Sequence, residues 1–188
     1  MDRTAAYALV HSRLGDSHTF AHCLATEACM RALAGRLGQD VDLWGVTGLV
    51  HDLDLDVCQD DLSQHAEIGA RVLEAAGAPA EMVHAVRAHN DKAPRESLLD
   101  HGLWVVDPTT GFITAAALIR PSRSTRDLSV SSVRKRMKEQ RFAAAVNRDQ
   151  IRACEPLLGL DLDTFLGLCI GAMDGIRDAI GLGGTPQA

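Results

Sequence analysis

The sequence has few aromatic residues, few runs of β-branched residues and no long apolar stretch. Phe, Trp and Tyr make up only 4% of the 188 residues, and alanine and leucine supply much of the apolar content instead. Because alanine and leucine favour helices while β-branched residues favour strands, this composition predicts an all-α fold. No run of about 18 apolar residues occurs, so we expect no membrane-spanning helix.

The chain also lacks an excess of positive charge and a secretory leader. Its formal net charge is -6, which argues against binding to extended nucleic acid, because such binding usually needs a basic face. Residues 1–10 contain no basic start followed by a long apolar core, so we expect no signal peptide. These features predict a cytoplasmic protein with no membrane partner, and they leave the oligomeric state open.

Paired cysteines of the kind that bind metals or form redox centres are absent. The number of cysteines is odd and no Cys-x-x-Cys motif occurs; they are Cys23, Cys29, Cys58, Cys154 and Cys169. Most of them fall within helical patterns, so we interpret them as reduced core residues. A catalytic thiol is the alternative that this pattern disfavours.

Apolar residues recur at helical spacing along most of the chain. The clearest helix is predicted over residues 18–37, which Asp16 or Ser17 can cap and Gly38 can end. Asp42 is a plausible N-cap for a second, buried helix that ends near Leu53. The whole pattern predicts about eight helices and no sheet.

An adjacent His51 and Asp52 follow the apolar run 46–50. Imidazole and carboxylate groups are ligands shared by catalytic divalent metals. Neighbouring residues on a helix point about 100° apart, so one ion between them needs ligands from other elements. Alone, the pair fits equally a helix end with two solvated polar groups. Candidate partners elsewhere in the chain are His22, His65, His89 and Asp107.

Each candidate partner lies near a predicted helix end or on an inward helix face. We place His65 in the first turn of a helix that Ser63 caps. Asp107 precedes Pro108 within a very apolar segment, which we expect to continue as a helical or kinked element. A carboxylate in that setting needs a partner, because burying an unpaired charge is costly.

The order of these residues resembles that of the HD-domain superfamily of metal-dependent phosphohydrolases. More narrowly, the context is similar to small bacterial HDIG-domain proteins. The resemblance covers residues 18–120, and the matching segments are Gly-Leu-Val-His-Asp at 48–52, His-Ala-Glu-Ile-Gly-Ala at 65–70, Ala-His-Asn at 88–90 and Val-Asp-Pro-Thr-Thr-Gly at 106–111. Further similarity lies at 120–122, 132–135 and 142–143.

The resemblance implies one or two divalent ions, with His51 and Asp52 at the catalytic centre. One ion would be held by His22, His51, Asp52 and Asp107, and the other by Asp52, His65 and His89. The implied reaction is the hydrolysis of a phosphomonoester or phosphodiester, such as a nucleotide or a related small phosphate ester, by a metal-bound hydroxide. Fe, Mn, Co, Ni and Zn all suit such ligands.

The sequence departs from the superfamily pattern just after the doublet. Many members carry Gly and then Lys where this chain has Asp54 and Leu55, so a lysine that would contact substrate phosphate is absent. Asp54 could hold a metal-bound water or orient a histidine ligand. The alternative is a solvated loop carboxylate.

Basic residues after Asp107 are candidates for contacts to substrate phosphate. A guanidinium group suits bidentate binding of phosphate. The alternative for each is a solvated basic surface. The candidates are Arg120, Arg123, Lys135 and Arg148.

The predicted organisation is a single domain over residues 1–188. It comprises an HD metal-binding core at 18–120 and a C-terminal helical extension at 121–188, with a frayed tail from Gly183. Two functions besides phosphohydrolase remain open. One is a di-iron oxygenase of the same fold, and the other is a non-catalytic nucleotide-binding or regulatory module stabilised by its metals.

Overall fold

A computed structural model describes residues 1–58 and 60–184 of the chain. These residues form ten α-helices and three 3₁₀ helices at Leu55–Val57, Leu62–Gln64 and Thr125–Asp127, and they contain no β-strand. The predicted all-α fold is therefore confirmed. The α-helices are α1 (Arg3–Leu14), α2 (His18–Leu37), α3 (Val41–Val50), α4 (Glu67–Ala75), α5 (Ala80–His89), α6 (Leu98–Leu118), α7 (Val130–Met137), α8 (Arg148–Arg152), α9 (Cys154–Leu158) and α10 (Leu162–Gly175).

Helix α2 begins and ends where the sequence predicts. The Ser17 side chain accepts a hydrogen bond from the amide of Phe20, which satisfies one of the free donors of the first turn. Gly38 ends the helix at φ 66°, a left-handed conformation that glycine adopts without strain. Helix α2 therefore has fixed ends, which sets the position of His22 in its first turn and a half.

Helices α2 and α3 lie unusually close together near the doublet. A Cβ atom at Gly48 would lie 2.9 Å from the carbonyl oxygen of Thr26 in α2, so only glycine fits without a shift of the backbone. This approach brings His51, at the end of α3, against the face of α2 that carries His22.

The helices pack around two apolar clusters of buried residues. The larger cluster joins α2, α6, α9 and α10, and its members include Met30, Leu33, Phe112, Ile113 and Phe165. The smaller cluster joins α1, the start of α2, α3, α4 and α5, and its members include Val10, Phe20, Leu49, Leu73 and Val86.

Pro108 lies inside α6 without ending it. Proline has no amide hydrogen, so the carbonyl of Trp104, one turn earlier, loses its helical donor. The side-chain amide of Gln150 in α8 donates to this carbonyl at 2.5 Å. Helix α6 is therefore continuous through Asp107, and the C-terminal region replaces its missing hydrogen bond.

Several predicted boundaries are wrong. Helix α3 begins at Val41, because the Asp40 side chain, rather than that of Asp42, accepts from the first amides. The predicted helix from Asn147 towards residue 158 is split into α8 and α9. Gly183, predicted to start a frayed tail, instead forms an antiparallel bridge with Ser124; residues 185–188 of that tail lie outside the described residues.

All five cysteines are free and buried, as predicted for core residues. In the part of the chain that the structure describes, no single helix is both long and apolar enough to cross a membrane. The segments 148–158 and 162–175 reach the required length and apolar composition only when they are taken together, and the chain bends by 109° between them.

Candidate metal centre

Four histidines and two aspartates from separate elements point into one space between the two clusters. His22 lies in α2 and Asp107 in the middle of α6, whereas the other four follow or end shorter helices. His51 and Asp52 come directly after α3, and His89 is the last residue of α5. The sequence predicted all of these residues as ligands, and the structure brings them together as two sets that share Asp52.

The first set comprises His22, His51, Asp52 and Asp107, whose candidate ligand atoms all lie within 4.8 Å of one another. His22 Nε2 is 3.0 Å from Asp107 Oδ1 and 3.5 Å from Asp52 Oδ2. His51 Nε2 is 3.4 Å from Asp52 Oδ1. Two nitrogen and two carboxylate donors therefore surround a space small enough for one ion.

The second set comprises Asp52, His65 and His89. His65 Nε2 lies 3.3 Å from Asp52 Oδ1, and His89 Nε2 lies 3.4 Å from the same oxygen. Asp52 thus faces both sets, which is the arrangement that a bridging carboxylate requires.

The other ring nitrogen of each histidine is bound on the side away from the centre. The Nδ1 atoms of His51 and His89 lie 2.9 Å and 2.5 Å from the carbonyl oxygens of Gly48 and Val86. A carbonyl only accepts, so each Nδ1 carries the proton and each Nε2 presents a lone pair to the centre.

His22 is oriented in the same way through a hydroxyl group. The Thr110 hydroxyl donates to the Asp107 carbonyl at 2.8 Å, so it accepts from Nδ1–H of His22 at 3.1 Å. The spacing of Asp107 and Thr110 on one helix face places a candidate ligand and its orienting neighbour together. Thr110 belongs to a segment that resembles the family, but its role as the partner of His22 was not predicted from the sequence.

The donor set fits a cation. His22 Nε2 and His51 Nε2 lie 3.2 Å apart, and with Nδ1 protonated on both rings their lone pairs face each other. A divalent ion bound by both nitrogens would replace the proton that otherwise lies between them. Imidazole with carboxylate suits Fe, Mn, Co, Ni or Zn, and the polar atoms on the outer side would fix the ring orientations.

When no cation is bound, the carboxylates favour the protonated form of the neighbouring histidines. Burial alone would lower the pKa of His51, but the charge of Asp52 and the Asp107 hydrogen bond raise that pKa well above its usual value. Burial would likewise lower the pKa of His65, but the hydrogen bonds and negative charges of Asp52 and Asp54 outweigh burial and raise that pKa to about 9. Metal binding must therefore displace protons, and it is expected to weaken as pH falls.

The two aspartates of the centre stay ionised. Burial favours the neutral acid, yet the neighbouring histidines lower the pKa of Asp52 well below its usual value. Hydrogen bonds from His22 and His51 outweigh burial at Asp107 in the same way and lower its pKa. The two carboxylates therefore keep their negative charges, which the protonated histidines balance when no ion is bound and which a divalent cation would balance once it displaces those protons.

Asp54 is a fully buried carboxylate beside the centre. Its Oδ1 accepts from Nδ1 of His65 at 2.8 Å, and its Oδ2 accepts from the amide of Gly69 at 2.6 Å. A Cβ atom at Gly69 would lie 3.2 Å from this carboxylate, so glycine leaves the space that Asp54 occupies. Of the two interpretations left open by the sequence, the solvated loop carboxylate is wrong.

His65 precedes α4 rather than lying in its first turn. The helix begins at Glu67, and Ser63 belongs to a 3₁₀ turn, so the predicted Ser63 cap is wrong. Ala66 adopts φ 71°, and the Asn90 side chain donates to the His65 carbonyl at 3.1 Å. This irregular turn, unreadable from helical periodicity, points the imidazole at Asp52.

The centre is open to solvent on one side, and there only partly. The side chains of His22 and Asp107 are 23% and 29% exposed, whereas that of His51 is 0% exposed and that of His89 is 2% exposed. A substrate therefore has access along the His22 and Asp107 edge.

The four predicted phosphate-binding residues lie in different surroundings. Arg123 lines a groove together with His22. Arg120 lines a separate surface cavity with Arg136, and Lys135 is exposed on α7. The guanidinium of Arg148 donates to carbonyl oxygens of residues 139–146, so its hydrogen bonds already serve the turn before α8. Of the four, only Arg123 therefore shares a groove with a candidate metal ligand.

Comparison with known proteins identifies the family. The model of the HD domain family matches residues 19–146. Ribonuclease Y of Desulfotalea psychrophila is 32% identical over 90 residues, which are 48% of this chain and 17% of that protein. Ribonuclease Y of Cutibacterium acnes is 30% identical over 80 residues, 42% of this chain and 15% of that protein.

These similarities cover less than a fifth of the length of the ribonucleases. No solved structure matches the chain. The family match, in contrast, spans more than half of the chain and includes every residue of the two sets. The chain belongs to the HD domain family.

Proposed function

We propose that this protein is a metal-dependent hydrolase of small phosphate esters. One observation carries the proposal: four imidazole Nε2 atoms and two ionised carboxylates converge, while the Nδ1 atoms are bound on the outer side. Such pre-orientation serves ligands and has little value for packing alone. Membership of the HD domain family, whose enzymes are generally metal-dependent phosphohydrolases, supports the same reaction class.

The proposed centre holds two divalent ions, one at each set, with Asp52 shared between them. Bound ions would supply Lewis-acid polarisation of the phosphoryl group and a water activated at neutral pH. Asp52 and His51 would fix the geometry from the buried side, while His22 and Asp107 would hold the edge at which the substrate arrives. The metal is proposed to be one of Fe, Mn, Co, Ni or Zn.

The proposed substrate is a phosphomonoester or phosphodiester of a small molecule, such as a nucleotide. The related proteins are named ribonucleases, and RNA is a phosphodiester, so cleavage of diesters belongs in any screen. The net charge of -6 favours a small substrate over an extended polyanion, because a long RNA would need a basic surface. We propose no membrane partner.

Metal analysis followed by a phosphate-release screen tests the proposal. Purified protein is expected to contain bound transition metal, and added Mn, Fe, Co or Ni should support hydrolysis of p-nitrophenyl phosphate or bis-p-nitrophenyl phosphate. His51→Gln should lose the ion of the first set, and hydrolysis with it. His84→Gln is the matched control, because His84 contacts Asp100 outside the centre.

The alternatives give different results in the same experiment. An oxygenase would contain iron, consume oxygen and release no phosphate. A non-catalytic module would bind nucleotide and show no turnover with any metal. Hydrolysis that persists in His51→Gln protein would remove this centre from the reaction.

A further inference from the structure

A groove begins at the exposed edge of the metal centre. Its volume is about 280 Å³, and His22 is one of its lining residues. Gly111, Thr114 and Leu118 of α6 also line it, and with Asp107 they follow the spacing of a single helix face. The face of α6 that holds a candidate ligand therefore continues as the wall of the groove.

The C-terminal segment also lines the groove. Ile180 and Leu182 line it and are 8% and 1% exposed. The Leu182 carbonyl accepts from the amide of Thr125 at 3.3 Å, and Gly183 forms a bridge with Ser124. This segment is thus attached to the loop after α6, which gives the groove a fixed apolar side.

Gly111 lies in the middle of α6 and leaves space in the groove. Glycine is less favourable than alanine inside a helix, so an interior glycine usually lets another element approach. A Cβ atom at Gly111 would meet nothing within 4 Å, unlike one at Gly48. No packing within the described residues requires this glycine, and the space beside it is part of the groove.

The charges around the groove suit an anion. Its lining residues include Arg123 and His18 and no carboxylate, although the chain as a whole is acidic. The Arg123 side chain forms no ion pair with any described residue. Its backbone is held at φ 50°, a conformation that is costly for a residue with a side chain.

The size and polarity of the groove indicate one planar organic group. Small-molecule sites usually span about 300–1,000 Å³, so this groove, at about 280 Å³, has room for a ligand at the small end of that range. Its apolar lining includes Ala21, Leu118 and Ile180, with the Thr114 hydroxyl beside them. A nucleobase has apolar faces and polar edges, whereas a simple sugar phosphate offers nothing to the apolar wall.

A larger cavity, lined by residues near Met1, Asp40 and Pro79, suits such a ligand poorly. It measures about 550 Å³, and none of its lining residues belongs to the metal centre. Its lining includes four carboxylates, which would repel a phosphate: Asp2, Asp40, Asp42 and Glu81.

We propose that the groove between α2 and α6 binds the nucleoside part of a nucleoside monophosphate whose phosphate lies at the His22 and Asp107 edge. Gly111 provides the clearance, and Arg123 adds positive charge at the groove. This proposal rests on the proposed function, because it takes the metal centre as the phosphate site.

The test compares two probes on Mn²⁺-loaded protein by titration calorimetry. Inorganic phosphate reports on the metal centre alone, whereas hydrolysis-resistant 5′-methylenephosphonate analogues of AMP, GMP, CMP and UMP report on the centre and the groove together. At least one nucleotide is expected to bind about tenfold or more tightly than phosphate. Gly111→Leu should remove this difference while leaving phosphate affinity unchanged.

Gly171→Leu is the matched control. Gly171 is also in a helix, and a Cβ atom there likewise meets nothing within 4 Å, so both variants gain the same helix propensity. Gly171→Leu protein should bind nucleotide as the original protein does. Nucleotide binding that survives Gly111→Leu, or nucleotides that all bind no better than phosphate, would overturn the groove proposal.

Failure of the proposed function gives a different result. If phosphate does not bind Mn²⁺-loaded protein at all, the metal-centred function is wrong and the groove proposal falls with it. If phosphate binds and no nucleotide binds better, only the groove proposal falls.

Arg123→Gly separates binding from structure. Glycine adopts φ 50° without strain, so this variant should melt at the same temperature or higher. Nucleotide affinity should nevertheless fall about tenfold, because the charged partner is lost. An unchanged affinity would exclude Arg123 from the site.

Discussion

The two ligands that lie within long helices differ from the four that lie at helix ends. His22 and Asp107 come from α2 and α6, which contribute to the larger apolar cluster. His51, Asp52, His65 and His89 follow or end the shorter helices around the smaller cluster. The helix-end ligands are the more buried ones, and the mid-helix ligands form the exposed edge.

This difference indicates how the centre is built. His22 and Asp107 lie within α2 and α6, so the packing of these two long helices sets the positions of both side chains. The helix-end ligands depend on local irregular features. The Gly48 carbonyl at the end of α3 binds His51, whereas His65 is oriented by the turn at Ala66, with φ 71°, and by the buried carboxylate of Asp54. The second set consists wholly of such residues, so its ion is expected to be lost first.

The largest expected effect comes from the carboxylate common to both sets. Asp52→Asn should remove both ions and lower hydrolysis at least about a thousandfold, equal to ~4 kcal/mol of activation free energy. Asp107→Asn is the comparison, because it belongs to the first set alone and should leave the second ion. Elemental analysis counts the ions, and two retained ions in Asp52→Asn protein would contradict the shared role.

Truncating one buried side chain in each cluster tests whether the clusters are one folding unit. Phe165→Ala in the larger cluster should cost ~3–5 kcal/mol and Leu73→Ala in the smaller one ~2–5 kcal/mol. In a single domain, both variants should shift one cooperative urea transition. Two separate transitions would contradict the predicted single domain. Of the two variants, only Leu73→Ala should also lower the affinity for the ion of the second set.

Asp54→Asn tests the local support of the second set. An amide oxygen cannot serve both the His65 and Gly69 donors as two carboxylate oxygens do. The affinity of the second ion should fall about 10–100-fold, the usual effect of losing an outer partner of a ligand. Asp56→Asn is the control, because Asp56 bonds Thr19 instead. Equal loss of both ions would contradict this role.

The smallest expected effect concerns Asp100, which joins the start of α6 to α5. Asp100 accepts from the amides of Glu96 and Ser97 and from His84 of α5. Burial would raise the pKa of Asp100, but these hydrogen bonds outweigh it and lower the pKa. Asp100→Asn should therefore cost ~1 kcal/mol of unfolding free energy at neutral pH.

The pH dependence of this cost follows from the direction of the shift. A lowered pKa in the folded state stabilises the protein fully above the unfolded value of about 4. The contribution is lost as pH falls through the lower folded value. Urea titrations of the two proteins should converge in acid, and Asp16→Asn, at an exposed position, is the control. A difference that persists in acid would contradict the assignment.

The sequence predicted the regular parts of this structure and missed the irregular ones. Helix α2 follows from its apolar spacing, its serine cap and its glycine stop. The turn that orients His65 could not be predicted, because it depends on a positive φ at Ala66. For Asp54, the sequence left open whether it orients a histidine or is solvated, and only the fold shows that it contacts His65. Asp54 and His65 are joined only when the chain folds back.

The gathering of the candidate ligands was predicted by resemblance rather than by physics. His22 and Asp107 are 85 residues apart, and no local pattern relates them. The outer partners of His51 and His89 are backbone carbonyls, which carry no sequence signal. Thr110 could have been found, since it lies one turn after Asp107 on the same face.

The bond between Gln150 and Trp104 has a consequence for anyone who shortens this chain. A fragment that stops at residue 146, where the family match ends, would keep every candidate ligand and lose Gln150. The Trp104 carbonyl, three residues before Asp107, would then have no donor. A minimal HD fragment of this protein should therefore extend at least through α8.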